Sequence, residues 1–152
     1  MKKLDNLDIK ILSELQKNAR VANAEIGRRI GLTGPAVAER IQKMEEEGII
    51  KGYHTILDYD KLDLSVRVFI NFRSKSIKHA AMVKMVQTLP EVLEWHTITG
   101  DNCLLLNVAV PTTKHLENLI ERLGEHGDTT TSIILSSAKN PTISLNNRIA
   151  SK

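Results

Sequence analysis

One cysteine, two phenylalanines, two tyrosines and one tryptophan in 152 residues leave several chemistries out of reach. A lone Cys103 excludes an internal disulfide and fits a reducing compartment. Standing before the apolar run LLLNVAV, it reads as a small buried hydrophobe rather than a reactive thiol. Aromatics at 3% make stacking on single-stranded bases a poor fit. No stretch approaches the ~20 apolar residues that span a bilayer. The opening MKKLDNLDIK turns acidic after two lysines and has no apolar stretch of signal-peptide length. The expected location is the cytoplasm, with no membrane partner. Five histidines, at 54, 79, 96, 115 and 126, show no metal-ligand spacing. There is no Gly-rich phosphate loop and no serine or cysteine nucleophile in a recognisable context. No catalytic residue, metal site or cofactor is therefore expected.

What remains is the balance of a globular protein, 41% hydrophobic and 26% charged. The formal charge of +3 permits an anionic partner without requiring one. Asp5 is placed to cap a first helix, with Asp8 in its first turn and Leu7, Ile11, Leu12 and Leu15 on one stripe. A second, shorter helix carries Ile26 and Ile30 and stops at Gly31. Thr33 caps a third helix with Val37, Ile41 and Met44 inward, followed by the extended segment IIKGYHTILD. The acidic stretch DYDKLD marks a boundary, so residues 1–57 form one domain, 64–140 a second and 141–152 a tail.

Beyond the boundary the pattern alternates. SVRVFINF puts Val66, Val68, Ile70 and Phe72 on one face of a strand. HAAMVKMVQTL reads as a helix ended near Pro90; EVLEWHTIT and CLLLNVAV read as strands joined by the turn GDN. Leu116, Leu119, Ile120 and Leu123 define another helix, and TTTSIILSS a last strand. The order strand, helix, strand, strand, helix, strand is that of a ferredoxin-like βαββαβ domain, so the fold class is α+β. Trp95 reads as sheet packing.

Two helices joined by the tight turn GLTG at a steep angle form a helix-turn-helix, whose second helix enters the DNA major groove. Its outer side is predicted to carry Pro35, Ala36, Glu39, Arg40 and Lys43, with Thr33 and the helix start facing a phosphate and Arg28 nearby. Arg40 is expected to meet a phosphate or a guanine edge. Ten lysines and arginines against eight acids in residues 1–52 are a modest excess. A three-helix scaffold or dimerisation unit with a solvated charged face stays open on these residues alone.

The stretches LDNLDIKILSELQKNAR, IGRRIGLTGPAVAERIQKMEEEGIIKGY and TGDNCLLLNV resemble the Lrp/AsnC family of transcriptional regulators over essentially the whole chain. The family's Arg-(x)3-Leu-Glu-(x)2-Gly-(x)-Ile appears as Arg40, Met44, Glu45, Gly48 and Ile50, with Met for Leu. Two further departures stand out. Ala22 replaces a common serine cap, leaving Asn23 as a substitute, and Asn102-Cys103 replaces a common second acid. The resemblance implies a winged-type helix-turn-helix and a ferredoxin-like effector domain. It implies dimers through the C-terminal sheets and further assembly into octamers; two linked modules are then expected to read double-stranded DNA half-sites about one helical turn apart, in an imperfect palindrome. It also implies a small effector, best an amino acid, at Thr99, Gly100, Asp101 and Asn102. There Gly100 allows close backbone approach, Asp101 suits an ammonium, and Asn102 with backbone amides suits a carboxylate; a plain hairpin turn is the alternative. Two rival functions remain. One is an enzyme like the siroheme decarboxylases, which resemble this family in both domains and for which His96 is the obvious candidate. The other is a metabolite sensor that does not bind DNA.

Overall fold

The computed structural model describes residues 4–75 and 79–137. The chain divides into two compact units, the first ending at Ile56 and the second running Leu57–Ser137. The expected tail, 141–152, lies outside the described residues.

In the first unit α1 spans Asn6–Lys17. The Asp5 carboxylate accepts the Leu7 and Asp8 amides at 2.8 Å, and Asp8 accepts the Asp5 amide at 3.1 Å, a reciprocal capping box. The Asn18 side chain accepts the Arg20 amide at 2.9 Å and turns the chain away from the helix axis. Helix α2, Asn23–Ile30, is preceded by Ala22 in extended conformation, with no side-chain cap. Asn23 is therefore the first helical residue and not the substitute cap. Gly31, at φ 80°, ends α2 in the left-handed region that suits glycine. Helix α3, Gly34–Glu46, starts with the Thr33 hydroxyl accepting the Ala36 amide at 3.3 Å and with Pro35 in the first turn, where its missing N–H costs nothing. Ile11, Ile26, Val37, Ile41 and Met44 form the core between the three helices. In α1 the buried set includes Asp8 and Ile9, while Leu7 stays half-buried. The segment after α3 is held at its start by the Ile49 and Ile50 amides on the Met44 carbonyl. It then runs on without a strand partner among the described residues.

The second unit opens with a 3₁₀ turn, Asp60–Leu62, followed by β1 (Val66–Ser74), α4 (His79–Gln87), β2 (Val92–Thr97), β3 (Leu104–Val110), α5 (Thr113–Gly124) and β4 (Gly127–Ile133). The four strands form one antiparallel sheet in the order β2-β3-β1-β4. Cross-strand partners Val68–Val108, Ile70–Leu106 and Phe72–Leu104 put their side chains on one face, beneath Met82 and Val86 of α4 and Leu116, Leu119 and Leu123 of α5. Trp95, opposite Leu106, packs half-buried on this core, as does Cys103. β4 starts two residues before TTTSIILSS and ends at Ile133, the span over which it pairs with β1; a Cβ on Gly127 would lie 2.2 Å from the Arg73 carbonyl oxygen. Only glycine fits where it pairs with Ser74.

Candidate nucleic-acid interface and effector loop

The turn between α2 and α3 is shaped by backbone proximity. The amides of Gly31 and Leu32 both donate to the Gly27 carbonyl at 2.9 Å, folding the chain back over the end of α2. A Cβ on Gly27 would stand 2.4 Å from the Leu32 oxygen, so this position is closed to every other residue without opening the turn. A Cβ on Gly34 would only touch Ala24, at 3.4 Å. The start of α3 is thus set against α2 by main-chain contact.

On the side of α3 away from the core, Thr33, Pro35, Glu39 and Lys43 are exposed and Ala36 is half-buried. No acid occupies the first turn of α3, which leaves its positive dipole end available to an anion. Lys43 pairs with Glu39 at 2.7 Å, and that carboxylate raises the Lys43 pKa. Gln42, which sequence reasoning passed over, shares this exposed side and donates to Glu46 at 2.9 Å. Its spacing from Pro35 and Glu39 is the signal that points to it. On α2, Arg28 is exposed and paired with Glu25, and Arg29 with Glu14 and Glu25.

Arg40 departs from its expected placement. The sequence pattern puts it on the open side of α3, but its side chain is only 28% exposed, and Nη1 donates to Asp5 at 2.7 Å and to Asp8 at 2.6 Å. The reason is position: residue 40 adjoins Ile41 on the flank of the buried stripe, facing the start of α1. Asp5 is held below the usual carboxylate range by the Asp8 amide and then by Arg40; Arg40 is raised by Asp5 and then Asp8. Asp8 is the one buried charged residue among those described.

The second candidate site is the β2–β3 connection. The Ile98 amide donates to the Cys103 carbonyl at 3.2 Å, and the Cys103 amide donates to Phe72 at 2.9 Å, tying the loop to β1. Gly100 has φ 107°, and a Cβ there would meet nothing within 4 Å, so backbone angle rather than crowding explains this glycine. Thr99, Gly100 and Asp101 are exposed and Asn102 is half-buried. His96, on β2, lies 3.4 Å from Glu94.

The AsnC-type helix-turn-helix domain matches residues 4–45, and the Lrp/AsnC ligand binding domain matches residues 66–143. The uncharacterized HTH-type transcriptional regulator YezC of Bacillus subtilis is 38% identical over 89% of this chain and 96% of its own length. The leucine-responsive regulatory protein of Escherichia coli is 34% identical over 91% of this chain and 88% of its own. The crystal structure of the transcriptional regulator NMB0573 in complex with L-Met, from Neisseria meningitidis, superposes with a TM-score of 0.86 at 29% identity, covering 96% of this chain and 99% of that one. Three helices with a backbone-locked turn, the four-stranded sheet unit and these matches along the length lead to one assignment: the chain belongs to the Lrp/AsnC family of helix-turn-helix transcriptional regulators.

Proposed function

We propose that this regulator binds an imperfectly palindromic duplex as a dimer or larger assembly, and that a small amino acid at the β2–β3 loop changes its affinity for DNA. The observation that carries the reading is the α2–α3 turn, closed on Gly27, which presents an acid-free, threonine-capped helix start beside an exposed polar row. In this reading the first turn of α3, with Thr33, Pro35 and Ala36, meets the duplex backbone. Glu39, Gln42 and Lys43 reach base edges or phosphates, and Arg28 lies on the flank. Gln42 suits adenine, which offers a matching donor and acceptor in the major groove. One such module has a small interface, and joining two copies raises effective concentration and sets the half-site spacing at about one helical turn. The open side of the sheet, with Phe69 exposed on it, and the edges β2 and β4 are the proposed joint.

For the effector, a relative named for leucine and a relative solved with L-Met support an amino acid. Asp101 would receive the ammonium group, with Asn102, Thr99 and the amides around Gly100 toward the carboxylate. Such a ligand acts through unequal affinity for two assemblies or two arrangements of the DNA-binding units. A role without catalysis is favoured over tetrapyrrole chemistry, since the candidate His96 lies exposed on β2 beside Glu94, two residues along the same strand. The test is twofold. Selection from a random duplex pool by the full-length protein should enrich a two-fold-symmetric site; a light-scattering mass of one chain at full affinity for that site would exclude the dimer. Calorimetry against the twenty amino acids should find a binder that Asp101→Ala weakens. No binder at all would end the amino-acid reading.

A further inference from the structure

Accepting that α3 is the DNA-reading helix, we propose that Arg40 is a positioning residue that sets the inclination of α3 against α1 and makes no contact with the duplex. Its guanidinium joins a closed set of bonds. One oxygen of Asp5 accepts the Leu7 and Asp8 amides and the other accepts Arg40; one oxygen of Asp8 accepts the Asp5 amide and the other accepts Arg40. All four carboxylate oxygens are thus engaged, and Arg40 is the cation that lets two aspartates sit together at the head of α1. A phosphate that drew Arg40 away would leave Asp8, 5% exposed, buried beside a second negative charge. Removing one partner from a buried pair is the costly side of such an exchange. A phosphate cannot take the guanidinium's place at Asp8, because it is itself an anion with no hydrogen to donate to the carboxylate.

The clamp sits where it has leverage. The backbone-closed turn at Gly27 sets the start of α3 against α2, so tilt about that turn is opposed by the core packing of Val37, Ile41 and Met44 and by side-chain bonds to α1. A helix of this length extends roughly 20 Å, so a tilt of about 5° moves the region of Lys43 by roughly 1 Å. Base readout tolerates roughly half of that. A second attachment near the middle of the helix, at Arg40, opposes this tilt. Apolar contacts at Ile41 and Met44 have no comparable directionality, whereas a guanidinium between two carboxylates does.

The test uses the full-length protein and a duplex enriched by the wild type from a random pool. Arg40→Gln and Asp8→Asn should each weaken binding about tenfold or more, the scale of losing one well-read base pair. Both should keep the wild-type salt dependence and relax base preference at several positions together. The double variant should be no weaker than the poorer single, and Arg40→Lys should restore part of both affinity and preference. A salt slope lowered by about one in Arg40→Gln, with Asp8→Asn like wild type, would make Arg40 a phosphate contact and overturn the proposal. Loss of preference at a single base pair would make it a reader, with the same consequence. A fall in the fraction of active protein with unchanged base preferences would reduce it to a stabilising residue. Should Arg40→Gln not fold, Asp8→Asn decides alone, and wild-type affinity and preference in that variant overturn the proposal. A wild-type protein that enriches no duplex sinks the DNA reading itself, before any variant is compared.

Discussion

Among the described residues, five buried apolar side chains form the core of the helical unit and twelve form that of the sheet unit. The difference changes what holds each together. Phe72, Leu104, Leu106 and their neighbours exclude water over a broad sheet face, and the ion pairs of that unit, such as Arg73 and Lys75 with Asp128, lie at the surface. Exposed pairs of that kind contribute little. The helical unit has less apolar area to remove from water and leans on directional bonds: the reciprocal box of Asp5 and Asp8, the Thr33 cap and the Arg40 clamp. A small core makes polar placement decisive; a large one makes it incidental.

The comparison is most open to breaking at Phe72. Phe72→Ala should cost the sheet unit about 3–5 kcal/mol, read by the fluorescence of Trp95, the one tryptophan of the chain, in a denaturant titration. The far-ultraviolet signal of the helical unit should keep its own transition, and a single shared shift would show that the two units do not stand independently. Next comes Gly27→Ala, which should cost the helical unit about 1–3 kcal/mol by forcing the turn apart and should abolish enrichment of a specific duplex, with the Trp95 transition unmoved. An alanine variant with wild-type stability and DNA affinity would remove the close turn from the account.

Ala22→Ser has the opposite sign. It supplies the side-chain cap that α2 lacks and should stabilise the helical unit by about 1 kcal/mol in thermal melts. A neutral or destabilising result would mean that the α2 donors are already satisfied. The smallest effect per unit of change is the response to acid. The folded-state pKa of Asp5 is depressed, so its contribution is complete above the usual carboxylate value, near pH 4, and is lost as pH falls through the lower folded value. Acid titration should therefore loosen the helical unit progressively from about pH 4 downward. Asp5→Asn should flatten that slope; an unchanged slope would place the acid sensitivity elsewhere.

Periodicity exposed most of the architecture. Val68, Ile70 and Phe72 alternate because one face of β1 is buried, and Leu116, Leu119 and Leu123 recur because α5 covers that face. The third helix was equally legible through Val37, Ile41 and Met44. What escaped was contact between segments. A charge on a helix reads as solvated unless its partner is known, and the partners of Arg40 lie 32 and 35 residues earlier. Gly27 carries no periodic signal, since its role is to let one backbone pass another. The GDN turn was visible in outline, and Gly100 has the positive φ that such a turn asks for. The ligand role of its neighbours was suggested by resemblance rather than by any pattern of their own.

The pairing of Lys43 with Glu39 also bears on how such a protein searches a genome. Retention on random DNA comes from cations that displace counterions from the phosphates. On this helix the cation already holds a carboxylate one turn away, and Arg28 and Arg29 hold theirs on the helix before it. On the proposed interface, an encounter with an arbitrary phosphate would exchange one exposed partner for another. For the proposed interface the expected consequence is kinetic: Glu39→Gln, which frees Lys43, should slow dissociation from random duplex in stopped-flow measurements, and an unchanged rate would show that the pair plays no part in the search.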